Sequence, residues 1–233
     1  MEAEAQPLID HLKLELDEAA FPASAPCKCY TSERNGYTMH VVTNGKCRRH
    51  GVDHVGTVAG GLAAWLSIEK FKPDLVINAG TAGGFNRMGA AIGDVFVSSR
   101  TVNHDRRIAI PGWTEWGVGK TDAVPTEQLR GALGYKHGVV TTSNSLDFIE
   151  EDAKHMLANE ASVKDMEGAA VAWACEQHNN TPFFCIKVVT DIVDGDRPTH
   201  EEFLENLGAA ARSLQEALPK TLDFVMGKRL SEL

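Results

Sequence analysis

An apolar run at residues 182–189 ends in the polar pair Thr190 and Asp191, and this junction constrains the fold more than any other part of the sequence. A continuous apolar run of this length is typical of a buried strand in an α/β protein. Such proteins bind their ligands at the carboxyl ends of the strands. The sequence therefore predicts that Thr190 and Asp191 lie at a ligand-binding edge of a sheet.

A second acid, Glu167, lies in the sequence Asp165-Met166-Glu167-Gly168, at a predicted junction between a strand and a helix. An acid at the start of a helix is most often only a partner of the helix dipole. Two carboxylates at element ends also indicate a site where one acid donates a proton and the other stabilises a cation. Both interpretations of Glu167 stay open at this point.

The segment Gly80-Thr81-Ala82-Gly83-Gly84 follows a predicted strand at residues 75–79. Glycines there let a ligand approach the backbone, and the amides can bind an anion or hydroxyl groups. The spacing fits neither a dinucleotide-binding fingerprint nor a phosphate-binding P-loop, and a glycine-rich turn alone is more often just a tight turn. Because three strand ends carry Thr81, Glu167 and Asp191, we expect one shared site.

Strand and helix patterns alternate along the chain, which predicts a single α/β domain over residues 1–233 with a largely parallel or mixed sheet. The predicted strands are residues 37–43, 75–79, 92–102, 138–142, 162–165 and 183–189. The predicted helices are residues 51–67, 125–133, 148–159, 167–177 and 199–226, the last with Thr199 as its N-cap. Residues 101–121 are aromatic and poor in helix signals, so they predict a functional loop or lid.

The net charge of −9 argues against a nucleic-acid binder. No run of about 18 apolar residues occurs, so no membrane span is expected. The acidic first residues do not resemble a secretory signal, and the five scattered cysteines are typical of reduced thiols. We therefore expect a cytoplasmic protein whose ligand is a small molecule.

Several motifs resemble those of the 5′-methylthioadenosine nucleosidases, especially the plant branch, and the resemblance extends over nearly the whole chain. The motifs are Ile77–Gly84, Ile92–Val95, His104–Arg107, Asp165–Ala170, Lys187–Asp196 and Gly227–Leu233. This resemblance implies a three-layer α/β/α sandwich with a mixed central sheet, as in purine nucleoside phosphorylases and hydrolases.

Such enzymes use water to cleave the N-glycosidic bond of methylthioadenosine, giving adenine and methylthioribose, and some also accept S-adenosylhomocysteine. The resemblance implies that Asp191 protonates adenine N7, with Thr190 orienting it. Glu167 would bind the ribose hydroxyls and stabilise the oxocarbenium-like sugar. Glu4 would position and activate water. The pKa of Asp191 should then be raised by burial.

The resemblance also implies the substrate contacts. They are Met166 beneath the ribose, Thr81 and Gly83 near the sugar or the water, Val55 in an apolar 5′-thioether pocket, Leu146 and Asp147 at adenine, and Lys187. For Lys187 the alternative is a purely structural role at the end of the sheet. The substrate is a purine thionucleoside, with methylthioadenosine preferred in the plant branch, and no metal or organic cofactor is expected.

Residues beside the predicted site have two interpretations. For His104, Arg106 and Arg107 we favour a structural or dimer-interface role. Trp113 and Trp116 could line the 5′ pocket, from the same subunit or from its partner, or pack in the core or an interface. The resemblance implies a homodimer.

Relatives place an apolar strand directly before the Met-x-x-Glu motif, whereas this sequence begins at that Met. We therefore expect the first strand to be missing. Two other functions remain as alternatives. One is a phosphorylase of the same superfamily, which uses phosphate instead of water. The other is a non-catalytic purine-binding or storage protein.

Overall fold

Strands and helices alternate in the computed structural model, which describes residues 1–34 and 36–233. In chain order the elements are α1 (Glu2–Leu12), β1 (Glu15–Asp17), β2 (Lys28–Arg34), β3 (Tyr37–Thr43), α2 (Thr57–Phe71), β4 (Val76–Gly84), β5 (Val95–Asn103), α3 (Trp113–Val118), β6 (Thr121–Asp122), α4 (Glu127–Leu133), β7 (Lys136–Thr142), α5 (Glu150–Ala158), β8 (Ala161–Asp165), α6 (Gly168–Gln177), β9 (Phe183–Ile192) and α7 (Thr199–Val225).

The main sheet has the strand order β6-β5-β7-β8-β4-β9. Neighbouring strands run parallel in β5–β7, β7–β8 and β4–β9, and antiparallel in β5–β6 and β4–β8. Strand β9 also pairs antiparallel with β5, so five strands form a closed ring of pairings. The sheet is mixed, as the sequence predicts. Strands β1, β2 and β3 form a separate antiparallel sheet.

The alternation of side chains along β9 explains the layers. Phe183, Cys185 and Val189 belong to one buried cluster, which includes residues of α2 and α6. Phe184, Ile186 and Val188 belong to a second cluster with residues of α1 and α7. Because successive side chains of a strand point to opposite faces, a run that is apolar except for Lys187 places a helical layer on each face.

Most predicted elements are confirmed, with shifted ends. Strand β4 continues through the glycine-rich segment to Gly84, beyond the expected end at residue 79. The N-cap of α7 is Pro198, so the assignment of Thr199 as the cap is wrong, and Thr199 is the first helical residue. The predicted lid contains the short helix α3.

Helix α1 and the strands β1, β2 and β6 had no counterpart in the prediction. Helix α1 is the first element of the structure and carries Glu4 in its first turn. Strand β2 pairs with β3 over seven positions. None of the helices in the described residues is long and apolar enough to cross a membrane.

Candidate active site

A cavity lies where the ends of β4, β8 and β9 meet the first turns of α1 and α7. It contains about 600 Å³ of empty space, part of which is open to solvent. Its lining residues are Met1, Glu4, Val55, Thr81, Ala82, Gly83, Leu146, Lys164, Asp165, Met166, Glu167, Thr190, Asp191, Val193, Thr199 and Phe203.

Asp191 reaches this cavity because the end of β9 is irregular. The register with β4 runs from Val189 opposite Ala82 to Asp191 opposite Gly83, so Thr190 has no partner position. Such a β-bulge turns the following side chain. A Cβ atom on Gly83 would lie 2.7 Å from Asp191 Oδ2, so a glycine is required there.

The two carboxyl oxygens of Asp191 have different surroundings. Oδ1 accepts a hydrogen bond from the Thr190 hydroxyl at 2.7 Å. Oδ2 is buried and has no hydrogen-bond partner among the described residues. Burial raises the pKa of Asp191, and the charge of Glu202 adds to the rise, although the Thr190 hydroxyl and the Lys164 ammonium oppose it. The side chain is therefore suited to hold a proton and to offer it through Oδ2.

Glu4 lies across the cavity and has the opposite electrostatic bias. Its Oε1 accepts hydrogen bonds from the Thr81 amide at 2.6 Å and from the Thr81 hydroxyl at 2.7 Å. Burial opposes ionisation, but the Met1 ammonium and the two Thr81 donors outweigh it and hold the pKa of Glu4 below its usual value. Glu4 is therefore a carboxylate at neutral pH, and it can accept a proton.

Glu167 is the N-cap residue of α6. Its Oε1 accepts a hydrogen bond from the Gly56 amide at 2.8 Å, at the start of α2. Burial and the charge of Asp165 raise the pKa of Glu167, and the Lys187 ammonium and the Gly56 amide counteract part of that rise. The cavity wall thus brings together Glu4, Glu167 and Asp191 in different environments, together with Asp165.

Lys187 is not placed as a substrate contact, so this part of the prediction needs correction. Its side chain is 2% exposed, and Nζ donates to Asp165 Oδ2 at 2.8 Å. Asp165 also accepts hydrogen bonds from the Thr142 hydroxyl and the Gly168 amide. Despite burial, Lys187 and these donors keep the pKa of Asp165 below its usual value. Asp165 lines the cavity and Lys187 does not, so the pair supports the cavity wall. This agrees with the structural alternative for Lys187.

Of the other predicted contacts, most line the cavity. Thr81, Gly83, Val55, Leu146, Met166 and Thr190 all do so. Asp147 is exposed to solvent beside Leu146. The structure therefore brings the predicted residues together, with Asp147 at the outer side of the wall.

Lys164 lines the cavity, but the sequence analysis did not select it. Its Nζ donates to the carbonyl oxygens of Ser145 and Leu146 at 2.7 and 2.9 Å. Burial lowers the pKa of Lys164, while the charges of Asp191 and Asp165 oppose the change. Lys164 thus fixes the loop that carries Leu146. Its place directly before the Asp165-Met166-Glu167 motif is the one signal that could have found it.

The loop beside the site is held by buried polar contacts. The His104 ring is 1% exposed, and its Nδ1 lies 2.9 Å from the Thr141 hydroxyl. Arg107 forms an ion pair with Asp152 of α5. His104 and Arg107 thus have structural contacts, which agrees with the favoured interpretation.

The two tryptophans of α3 lie outside the cavity wall. Trp113 and Trp116 are about half exposed, and their rings meet edge to face, with centroids 5.7 Å apart. The Arg106 guanidinium lies 4.3 Å from the centroid of the Trp116 ring. In this single chain they therefore pack on each other and on Arg106.

The geometry favours acid–base chemistry by carboxyl groups. One acid is biased toward its protonated form and another toward its ionised form, which is the pairing required for a general acid and a general base. Among the described residues, no cluster of three or more His, Cys, Asp or Glu side chains is arranged to hold a metal ion.

Comparisons with known proteins agree with this geometry. Residues 1–223 match the sequence profile described as the phosphorylase superfamily. The 5′-methylthioadenosine/S-adenosylhomocysteine nucleosidase of Arabidopsis thaliana is 46% identical over 234 residues, covering 100% of this chain and 92% of that protein. The 5′-methylthioadenosine nucleosidase of the same plant is 42% identical, covering 100% and 87%.

The solved structures confirm the fold expected from the resemblance. The apo structure of Arabidopsis thaliana 5′-methylthioadenosine nucleosidase superimposes with a TM-score of 0.97 at 42% identity. The match covers 100% of this chain and 96% of that chain. The α/β architecture with a mixed sheet is therefore the one these proteins share.

Proposed function

The chain belongs to the phosphorylase superfamily and, within it, to the 5′-methylthioadenosine/S-adenosylhomocysteine nucleosidase family, and we propose that it hydrolyses 5′-methylthioadenosine to adenine and 5-methylthioribose. The observation that carries this proposal is the meeting of Asp191, Glu4 and Glu167 in one cavity. The named activities of the two plant relatives support the choice of substrate.

Asp191 acts as the general acid. Its protonated carboxyl donates through Oδ2 to adenine N7, so that the base leaves as neutral adenine with the electron pair of the broken bond. The buried, unpartnered Oδ2 supports this role, because an acid must reach its acceptor directly. Thr190 fixes the rotation of the carboxyl through Oδ1.

Glu4 acts as the general base. Its carboxylate takes a proton from water, and the water oxygen forms the new bond to the sugar C1′. Thr81 donates twice to Oε1 and the Met1 ammonium donates to Oε2, so that the remaining lone pair of Oε2 is the one that receives the water. The lowered pKa of Glu4 supports this role, because the base must be ionised before turnover.

Glu167 binds the ribose hydroxyls and stabilises the positive charge that develops on the sugar. A carboxylate is suited to both tasks, because it accepts hydrogen bonds and carries the opposite charge. The Gly56 amide fixes its Oε1. Met166 and Val55, which also line the cavity, supply apolar surface for the ribose and the methylthio group.

One contact favours water over phosphate as the nucleophile. The Thr81 amide and hydroxyl are the kind of donors that bind an anion, but both are already bonded to the Glu4 carboxylate. A phosphate there would lose those donors and face a second negative charge. A hydrolase is therefore favoured over a phosphorylase of the same superfamily.

The test is adenine release from methylthioadenosine in phosphate-free buffer, with phosphate then added in steps. We expect turnover without phosphate and no increase on its addition. Turnover that requires phosphate would establish the phosphorylase alternative. A folded protein that binds adenine without releasing it from the nucleoside would establish the purine-binding alternative.

We further propose that methylthioadenosine is preferred over S-adenosylhomocysteine and that the reaction serves methionine salvage. The product methylthioribose retains the sulfur and methyl group, which supports this assignment. The two plant relatives carry names that differ in S-adenosylhomocysteine. Comparison of kcat/KM for both nucleosides decides the preference, and an equal or higher value for S-adenosylhomocysteine would overturn it.

We also propose a homodimer, with α2 and α6 at its interface. Val58, Leu62 and Trp65 are exposed by 83%, 42% and 39%, and their spacing places them on one face of α2. Trp173 of α6 stacks on Trp65 with ring centroids 5.8 Å apart. An apolar patch of this kind is typical of an interface.

Light scattering measures the mass in solution. We expect Leu62→Glu to produce monomers, while Leu204→Glu, at an exposed apolar position of α7, should leave the dimer intact. A monomeric wild-type protein would rule out this interface.

A further inference from the structure

Helix α7 holds the backbone on both sides of Asp191. Glu202 Oε2 accepts a hydrogen bond from the Ile192 amide at 2.7 Å, which is the amide directly after Asp191. Asn206 Nδ2 donates to the Thr190 carbonyl oxygen at 3.0 Å and to the Glu202 carbonyl oxygen at the same distance. Two side chains of one helix therefore fix the peptide units that flank the acid.

The Glu202 carboxylate is nearly excluded from solvent, with the residue 7% exposed. Removing a carboxylate from water is costly unless its partners compensate. An acid near the start of a helix often serves the helix dipole, and Glu201 on the exposed side meets that need. Glu202 instead points to the end of β9.

We propose that Glu202 is a positioning residue for Asp191: it fixes the adjoining Ile192 amide and places a buried carboxylate close to the acid. This inference rests on the proposed function, because it assumes that Asp191 is the general acid. Glu202 itself does not line the cavity. Glu202 would keep Asp191 protonated and hold its carboxyl in the orientation that faces the purine.

The charges around Asp191 act in opposite directions. Glu202 on α7 raises the pKa of Asp191, in addition to the larger effect of burial, whereas Lys164 on β8 lowers it. Glu202 itself faces Arg197, whose Nη1 lies 3.9 Å from Glu202 Oε1. Arg197 is half exposed and binds Glu205 more closely, at 2.6 Å. The negative charge of Glu202 thus opposes the effect of the Lys164 ammonium on the pKa of Asp191.

The decisive variant is Glu202→Gln, because its amide oxygen can still accept from the Ile192 amide while the charge is removed. We expect the pKa of Asp191 to fall, because the negative charge of Glu202 no longer opposes its ionisation. The alkaline limb of the kcat profile should move to lower pH by the same amount, with KM changed less than about twofold. The matched control is Glu205→Gln, an exposed position one turn along α7, which should leave the profile unchanged.

A ¹³C NMR titration of the Asp191 carboxyl, assigned by its loss in Asp191→Asn, measures the pKa without turnover. An unchanged Asp191 pKa in Glu202→Gln would overturn the inference. Equal shifts in Glu202→Gln and Glu205→Gln would overturn it too, because the effect would then be general. If the wild-type protein releases no adenine, the proposed function fails, and the NMR titration still decides whether Glu202 controls Asp191.

Glu202→Ala separates anchoring from charge. It removes both, so we expect the same shift in the Asp191 pKa together with a loss of kcat of about tenfold or more, as the flanking peptide loses its anchor. A purely structural residue would lower only the melting temperature. In that case Glu202→Ala would retain the wild-type pH profile, and the inference would be wrong.

Discussion

The Lys187 ammonium lies 2.8 Å from Asp165 Oδ2, with the two side chains only 2% and 1% exposed. The pair joins β9 to β8 across the intervening strand β4, where a Cβ on Gly80 would lie 3.7 Å from Lys187 Nζ. Asp165 precedes Met166 and Glu167, and Lys187 lies four residues before Asp191. One buried ion pair therefore fixes the two strands that deliver the acids Glu167 and Asp191.

Replacing Lys187 by Met should destabilise the protein by about 3–5 kcal/mol, because it leaves the Asp165 charge buried without its partner. The double variant with Asp165→Asn should recover much of that loss, since no uncompensated charge remains. Lys154→Met is the control, because this lysine of α5 pairs only with exposed acids. Denaturant unfolding measures each change. A Lys187→Met protein as stable as the wild type would show that the pair is dispensable.

Replacing Glu4 by Gln should lower kcat by about 10²–10⁴-fold, the usual range for loss of a general base. The Gln amide oxygen can still accept both hydrogen bonds from Thr81, so KM should change little. Glu2→Gln is the control, because the Glu2 side chain is 41% exposed and pairs with Lys46. Steady-state adenine release measures both constants. Full kcat in Glu4→Gln would remove Glu4 from the mechanism.

Replacing Asp191 by Asn should abolish most turnover and stabilise the protein at neutral pH. The pKa of Asp191 is raised in the folded state, so its ionisation destabilises the fold as pH rises through that pKa. Below its unfolded pKa the carboxyl is protonated in both states, and the penalty vanishes. The melting temperature of Asp191→Asn should therefore exceed that of the wild type at pH 8, and the difference should shrink toward pH 4.5.

In a protein of this length, each kcal/mol of added stability raises the melting temperature by about 2–4 °C. Thermal melts of the two proteins across the pH range measure it. Asn retains the oxygen that accepts from Thr190, so the comparison isolates the charge. Adenine release at the wild-type rate from Asp191→Asn would disprove the proposed mechanism.

The strand that carries Asp191 could be predicted from the sequence because a run that is apolar except for Lys187 specifies burial on both faces. The position of Asp191 within it depends on the bulge at Thr190, which no local pattern shows. The family resemblance supplied Glu4 and the role of Glu167, which its place at a strand–helix junction had already indicated, while the helix that carries Glu4 was missed. Its stability comes from packing: Leu8 and Ile9 of α1 are buried in clusters with α7 and β3.

Charged residues that act from outside the family motifs were the least predictable part of the site. Nothing in the local sequence distinguishes Lys164 and Glu202 from charged residues at the protein surface. Their roles follow from partners far along the chain, since Lys164 binds the carbonyl groups of residues 145 and 146 and Glu202 binds the amide of residue 192. Lys187 is the opposite case. It lies within a family motif and was predicted to contact substrate, but it is buried and pairs with Asp165.

His104 should make the protein sensitive to mild acid. Burial, reinforced by the Lys164 charge, lowers the pKa of His104 to about 4, although Asp105, Asp152 and Asp165 oppose the shift. The unfolded chain binds a proton at its ordinary pKa near 6.5, so the unfolded state holds more protons between pH 6.5 and 4. Stability is therefore complete above pH 6.5 and is lost as pH falls toward 4.

The loss attributable to His104 should reach about 2–3 kcal/mol at pH 4. His104→Asn keeps an acceptor or donor near the Thr141 hydroxyl and does not titrate, so its free energy of unfolding should fall less steeply between pH 7 and 4.5 than that of the wild type. His200→Asn, at an exposed position, should follow the wild-type curve. Denaturant unfolding at each pH measures the slopes. Parallel curves for His104→Asn and the wild type would show that His104 takes up its proton without cost in the folded state.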